Sequence, residues 1–167
     1  MIFQSKKHNE DLYNILLTLS RNIFFYKKIG LSDNFETRIY LMFIHFSIMM
    51  IVFKKKGTKF SQSLYDRLFH NIENNLRELG FGDVSVNKKM KELNKILYDI
   101  LLKLEVINHN NKNFEINHNL LLKYFAKLND QKNEEFLEFK SYFTDFYNFC
   151  FELPLDNMLS KAINFKI

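Results

Sequence analysis

The shortage of turn-forming residues restricts the fold of this chain more than any other feature of the sequence. Its 167 residues include four glycines and one proline. All-β proteins use Gly and Pro at most of their hairpins, so this composition disfavours a β-sandwich or a β-barrel. Apolar residues instead recur at helical spacing, most clearly at Val86, Met90, Leu93, Leu97, Ile100 and Leu104. The sequence therefore predicts an all-α fold, a single-domain helical bundle of about six to seven helices over residues 1–167.

Capping and helix-breaking residues indicate where the helices begin and end. Asn9 is expected to cap the first helix, and Asp33-x-x-Glu36 is a capping-box variant at the start of the second. Asp83 or Ser85 is expected to cap the fourth helix. Three glycines mark predicted helix ends: Gly30, Gly57 and Gly80. The third helix is predicted to bury a stripe formed by Leu64, Leu68, Ile72, Leu76 and Leu79.

The rest of the chain is predicted to be helical, apart from an Asn-rich loop at 108–113. Helices are predicted near 118–128 and 133–151, and Pro154 separates the second of these from a short helix near 155–164.

The longest apolar segment, Ile39–Phe53, is followed directly by a lysine cluster. As an α-helix it would extend about 22 Å, less than the roughly 30 Å hydrocarbon core of a membrane. It is therefore predicted to be a buried central helix, with His45 internal and its ring hydrogen-bonded. A membrane-spanning or re-entrant segment is the alternative, because basic residues often flank such segments. The cluster is interpreted as a solvated helix end and forms a predicted basic surface patch of Lys54, Lys55, Lys56 and Lys59.

The formal charge of the chain is +5, and residues 1–70 hold the excess of basic side chains. A basic surface can face nucleic acid or anionic lipid. Arginine, which commonly reads base edges, supplies four of the 24 basic residues. A nucleic-acid-binding helical protein with a recognition helix at 86–104 is retained as an alternative, but no sequence-specific DNA partner is expected.

The sequence contains no pattern typical of an active site or a bound cofactor. Its five histidines lack the i,i+4 pairing of a helical metal site, and neither a P-loop nor a G-x-S-x-G motif is present. Cys150 is the one cysteine and lies among aromatic residues, so it is predicted to be a buried structural thiol. The sequence therefore predicts a non-enzymatic protein with no catalytic residue, no metal and no cofactor.

The most distinctive segment is residues 76–89, LRELGFGDVSVNKK, which connects two amphipathic helices. It resembles the L-R-E-x-G-[VF]-G-D-x-x-V-x-K-[KR] signature of the ubiquinol–cytochrome c chaperone family. Asn87 stands where that family often has Pro, Glu73 where Asp is expected, and residues 97–99 lack an expected Gly. The resemblance covers about residues 10–105 and leaves a C-terminal helical extension at about 110–167 unmatched. Upstream residues that also resemble the family are Tyr13, Arg21, Tyr26, Gly30, Asp33, Arg38 and His45.

The resemblance implies a non-enzymatic chaperone for assembly of the cytochrome bc1 complex, which binds newly made cytochrome b. Mitochondrial relatives act on the matrix side of the inner membrane with a small partner subunit near the ribosome exit. For this Lys- and Asn-rich chain, the implied location is the bacterial cytoplasm, peripheral to the inner membrane and its anionic surface. A generic helical protein-interaction adaptor is the alternative.

Candidate client-binding or partner-binding residues come from the same signature: Arg77, Glu78, Gly80, Gly82, Asp83, Val86, Lys88 and Lys89. A purely structural role, as helix caps and an intramolecular ion pair, is the competing interpretation of Arg77, Glu78 and Asp83. A chaperone also needs apolar surface for its client, beyond the few hundred Å² usual on a monomer. We expect that surface to lie beside the basic residues 54–59.

Overall fold

The computed structural model describes residues 12–130 and 133–167, and within these ranges the chain is helical with no β-strand. The expected cap at Asn9 lies outside them. The predicted all-α bundle of six to seven helices is confirmed, because the described residues form seven α-helices. The helices are α1 (12–20), α2 (Phe35–Lys55), α3 (Gln62–Glu78), α4 (Asp83–Asn108), α5 (His118–Tyr124), α6 (Asn133–Glu152) and α7 (Leu155–Lys161).

Helix α2 is the centre of the fold and packs against both α4 and α6. It is the one helix in the described ranges that is long and apolar enough to cross a membrane, and 72% of its most apolar window is buried. A helix that is apolar on all sides is typical of the core of a helical protein. The prediction that Ile39–Phe53 forms a buried central helix is therefore confirmed.

His45 joins α2 to the C-terminal helices. Its Nδ1 lies 2.6 Å from the carbonyl oxygen of Leu41, and its Nε2 lies 2.8 Å from the hydroxyl oxygen of Tyr142 on α6. Burial lowers the pKa of His45 to about 4, so the neutral ring donates from Nδ1 and accepts from the Tyr142 hydroxyl at Nε2. The ring also meets Phe146 edge to face, at 4.8 Å between centroids. The predicted internal, hydrogen-bonded histidine is confirmed.

Two predicted helix caps are wrong: Asp33 is one residue away from the cap of α2, and neither Asp83 nor Ser85 caps α4. Asn34, not Asp33, caps α2: its backbone is extended and its side chain accepts from the Thr37 N–H at 2.9 Å. Asp33 instead binds Arg38. At α4 the N-cap is Gly82, and its extended backbone leaves Asp83 inside the first helical turn. A cap depends on which residue leaves the helical conformation, and residue type alone does not determine this.

Gly57 and Gly80 end α2 and α3 as predicted, with φ of +75° and +97°. Gly30, with φ of +81°, does not end the first helix: α1 stops at residue 20, and Gly30 follows a separate π-helical turn, Phe24–Lys28. Leu79 was expected in the buried stripe of α3 but is 57% exposed, because the helix ends one residue earlier and the chain turns outward.

The C-terminal segments differ from the prediction mainly at their ends. The predicted helix at 118–128 is α5 followed by a 3₁₀ turn at Ala126–Asp130, and the one at 155–164 is α7 followed by a 3₁₀ turn at Ala162–Asn164. Asn108 is buried and fixes the loop after α4, because its side chain donates to the Glu115 carbonyl and accepts from the Glu115 N–H. Burial raises the pKa of Cys150 to about 12, which confirms an inert structural thiol.

Candidate functional site

The connector between α3 and α4 is a short turn with a fixed backbone. The Phe81 N–H donates to the Leu76 carbonyl at 3.2 Å, and the Gly80 N–H donates to the Arg77 carbonyl at 3.0 Å. These two bonds, with a left-handed Gly80, form a Schellman motif that ends α3. Gly82 then starts α4 from an extended backbone conformation. The turn therefore holds the residues on either side of Gly80 in defined positions.

Arg77 ties the two helices together across this turn. Its Nη1 binds the carboxylate of Asp83, and its Nη2 lies 3.1 Å from Glu73 Oε1 on the preceding turn of α3. These hydrogen bonds raise the pKa of Arg77. The intramolecular ion pair predicted for Arg77 and Asp83 is therefore present. Glu78 is exposed and forms no ion pair with any residue that the structure describes.

The connector presents three large apolar side chains to solvent. Leu79 is 57% exposed, Phe81 is 41% exposed and Val84 is 85% exposed. We call these three residues the α3–α4 edge. The remaining signature residues have different positions: Val86 is fully buried, Lys88 is exposed, and Lys89 is mostly covered and lies 3.9 Å from Glu36. The signature thus combines a core residue, an ion-pair clamp and an exposed apolar edge.

A pocket of about 230 Å³ lies between α1, α2 and α3, next to this edge. Its walls are apolar and are formed by Leu17, Phe35, Ile39, Met42, Ile72 and Leu79. Because Leu79 belongs to both features, the pocket and the α3–α4 edge form one continuous surface. Four polar residues complete the lining: Tyr13, Arg21, Arg38 and Asn75.

Three of the upstream residues that resemble the family line this pocket: Tyr13, Arg21 and Arg38. Asn75 donates to the Tyr13 hydroxyl at 2.7 Å, which links α3 to α1. Arg38 binds Asp33, with 2.7 Å between Nη2 and Oδ1. The Tyr26 hydroxyl donates to the Ser20 carbonyl, and burial raises the pKa of Tyr26 to about 12. Arg21 forms no ion pair with any described residue. The pocket was not predicted from the sequence, although the family resemblance singled out three of its lining residues: Tyr13, Arg21 and Arg38.

The predicted basic patch is largely bound to the rest of the chain. Lys54 lies 3.5 Å from Glu105, Lys55 donates to the Asn111 carbonyl, and Lys56 donates to the Leu153 carbonyl at 2.7 Å. Lys55 and Lys56 also lie over the rings of Tyr147 and Phe151. Lys59 is exposed and forms no ion pair within the described ranges. The cluster does lie at the end of α2, as predicted, but Lys55 and Lys56 are bound to the C-terminal part of the chain and are not simply solvated.

The α3–α4 edge lies far from this patch. One exposed apolar side chain does lie where it was expected, because Lys56 lies over the ring of Phe151, which is 42% exposed. The pocket next to the edge is lined by Arg38 and Ile39, near the start of α2, whereas the patch follows its end. With a rise of 1.5 Å per residue, Arg38 and Lys54 are about 24 Å apart along the helix. Among the described residues, no group of three His, Cys, Asp or Glu side chains could hold a metal ion.

Comparison with known proteins supports the suspected family. A family model described as Ubiquinol-cytochrome C chaperone matches residues 27–107, from the π-helical turn Phe24–Lys28 to the end of α4. The signature at 76–89 lies inside this range, whereas Tyr13, Arg21 and Tyr26 precede it. No match was found among curated proteins or among solved structures. Residues 27–107 are therefore similar to the ubiquinol–cytochrome C chaperone family, which supports the resemblance carried by the signature.

Proposed function

We propose that this chain is a non-enzymatic chaperone that holds newly made cytochrome b during assembly of the cytochrome bc1 complex. The match of residues 27–107 to the ubiquinol–cytochrome C chaperone family supports a role in bc1 assembly. Cytochrome b is the component that most needs such a chaperone, because its apolar helices are exposed before their neighbours are in place.

The α3–α4 edge is the observation that carries this proposal. Leu79, Phe81 and Val84 lie within six positions of one another and expose apolar surface that the fold itself does not use. Covering one such side chain contributes about 1.5–3 kcal/mol. The Schellman turn and the Arg77 clamp hold the three side chains in place, so little conformational entropy is lost when a client binds. A rigid apolar edge of this kind suits an apolar helix of a client.

The test is capture of cytochrome b synthesised in a cell-free system that contains the purified, tagged chain. We expect Val84→Glu to reduce recovery of cytochrome b about tenfold, because a carboxylate replaces apolar contact. Val106→Glu is the matched control: Val106 is on the same helix and is 76% exposed, but it lies near the other end of α4.

Val84→Glu and Val106→Glu should melt like the unmodified chain, since both side chains are exposed. Equal capture by both variants would contradict the proposed role of the edge. Failure of the unmodified chain to capture cytochrome b would contradict the proposed function itself.

We further propose that the chain works in the bacterial cytoplasm at the inner membrane surface, with a small partner subunit and the ribosome exit region nearby. The net charge of +5 supports attraction to anionic headgroups. Cell fractionation tests this location. The chain should sediment with membranes at low salt and be released at high salt, because ionic screening weakens such binding. A chain that stays in the supernatant at low salt would contradict the proposed location.

A further inference from the structure

The pocket between α1, α2 and α3 has an excess of positive charge at its rim. Two of the residues that line it are charged, Arg21 and Arg38. Asp33 already binds Arg38, through both Nε and Nη2 of the guanidinium. Arg21 has no carboxylate partner in the described ranges, and its side chain is exposed. The rim can therefore bind one more carboxylate without displacing an existing ion pair.

The size and the walls of the pocket restrict what else can enter. Sites for cofactors and drug-sized ligands usually enclose about 300–1,000 Å³. This pocket encloses about 230 Å³, which suits a few side chains of a partner protein better than a cofactor. Its apolar wall continues through Leu79 into the α3–α4 edge. A bound segment could thus contact the pocket and the edge together.

We propose that this pocket binds an apolar protein segment that carries one carboxylate. The Asp or Glu side chain of that segment binds Arg21, and neighbouring apolar side chains pack against Leu17, Phe35 and Leu79, the apolar lining residues that are not fully buried. A guanidinium can bind a carboxylate through two parallel hydrogen bonds, which fixes the orientation of the segment as well as adding affinity. The inference rests on the proposed function, and it specifies the chemistry of the client segment that the chain selects.

The test uses two dye-labelled synthetic peptides of leucine and alanine, one with a single central glutamate and one with glutamine at that position. Fluorescence anisotropy with the full chain should show about tenfold tighter binding of the glutamate peptide. Arg21→Gln should abolish this preference, and Arg21→Lys should keep part of it. Arg67→Gln is the control, because Arg67 is also an arginine without an ion pair among the described residues but lies on α3 outside the pocket.

Three results would overturn the inference. One is equal or absent binding of the two peptides to the unmodified chain. Another is an equal effect of Arg21→Gln and Arg67→Gln, which would reflect net charge alone. The third is Arg21-dependent binding of decanoate without peptide binding, which would indicate a small-molecule site. Cytochrome b capture is measured in parallel. If the chain captures cytochrome b but does not prefer the glutamate peptide, this inference alone is rejected. If the chain prefers the glutamate peptide through Arg21 but does not capture cytochrome b, the proposed client alone is rejected.

Discussion

At the scale of single residues, Gly80 and Gly82 have different reasons to be glycine. Gly80 has φ of +97°, a conformation that costs other residues about 1–2 kcal/mol, whereas Gly82 has φ of −76°. A Cβ at either position would meet no atom within 4 Å, so only the backbone distinguishes them. We expect Gly80→Ser to lower the free energy of unfolding by about 1–2 kcal/mol. Gly82→Ser should change it by only a few tenths, because serine is a good N-cap. Urea denaturation measures both, and equal losses would contradict this account.

The buried His45 should make stability depend on pH. Its pKa is about 4 in the folded chain, below the unfolded value of about 6.5, so the unfolded state binds a proton more readily. The stability that this difference provides is present above pH 6.5 and is lost as the pH falls toward 4. Between pH 7 and pH 5 the unmodified chain should lose about 2 kcal/mol more than His45→Gln, which has no such proton to bind.

Denaturant unfolding at the two pH values measures this difference. His70→Gln is the control, because it removes an exposed histidine of α3 and leaves the buried ring network unchanged. Identical pH dependence of the unmodified chain and His45→Gln would show that His45 is not responsible.

Residue-level predictions succeeded where one local rule determines the structure. His45 lies in an apolar run long enough to be buried, and such a ring must find hydrogen-bond partners. The sequence could not identify Tyr142 as that partner, because the two residues are 97 positions apart. Leu79 was misplaced because its spacing fits the stripe of α3, while Leu79 itself is the C-cap after the helix ends. Periodicity does not indicate where a helix stops.

At the scale of helices and connectors, the Arg77 clamp should matter more for binding than for stability. The ion pairs of Arg77 with Asp83 and Glu73 are solvent-exposed, and exposed pairs contribute little to folding. Arg77→Ala and Asp83→Asn should therefore melt nearly normally by circular dichroism. Both should capture less cytochrome b in the cell-free assay, because Phe81 and Val84 lose a fixed position. Depressed melts with capture that falls in proportion would instead indicate a purely structural clamp.

The helices themselves were largely predictable, but the pocket they enclose was not. The spacing of Val86, Leu93, Leu97 and Ile100 determines which side of α4 is buried, and the structure buries those residues. The pocket requires the rotation of α1, α2 and α3 relative to one another, and spacing within one helix does not contain that information. The family resemblance named Tyr13, Arg21 and Arg38, but it did not show that they line a common pocket.

At the scale of the whole molecule, the C-terminal helices complete the core of the family-matched region. Residues 27–107 match the family, yet α2 within that region packs against α6, which lies outside it. Phe139, Phe143 and Phe146 of α6 are fully buried and belong to the same core cluster as α2. Tyr142 supplies the hydroxyl that His45 accepts from. The extension is therefore part of the structural support for α2, whatever further role it has.

A fragment of residues 1–109 should therefore fail to fold alone. Without α6 it would expose one face of α2 and lose three buried phenylalanines, each contributing about 2 kcal/mol. That loss is comparable with the whole free energy of unfolding of a typical domain, about 5–15 kcal/mol. We expect the fragment to aggregate or partition into membranes, as a helix with the length and hydropathy of α2 would do when uncovered.

Co-expression of residues 110–167 as a separate chain should restore a soluble complex with a cooperative melt, because it restores the partner of His45 and the aromatic cover of α2. A soluble 1–109 fragment that melts cooperatively near the temperature of the full chain would show instead that α2 needs only α1, α3 and α4 to remain buried.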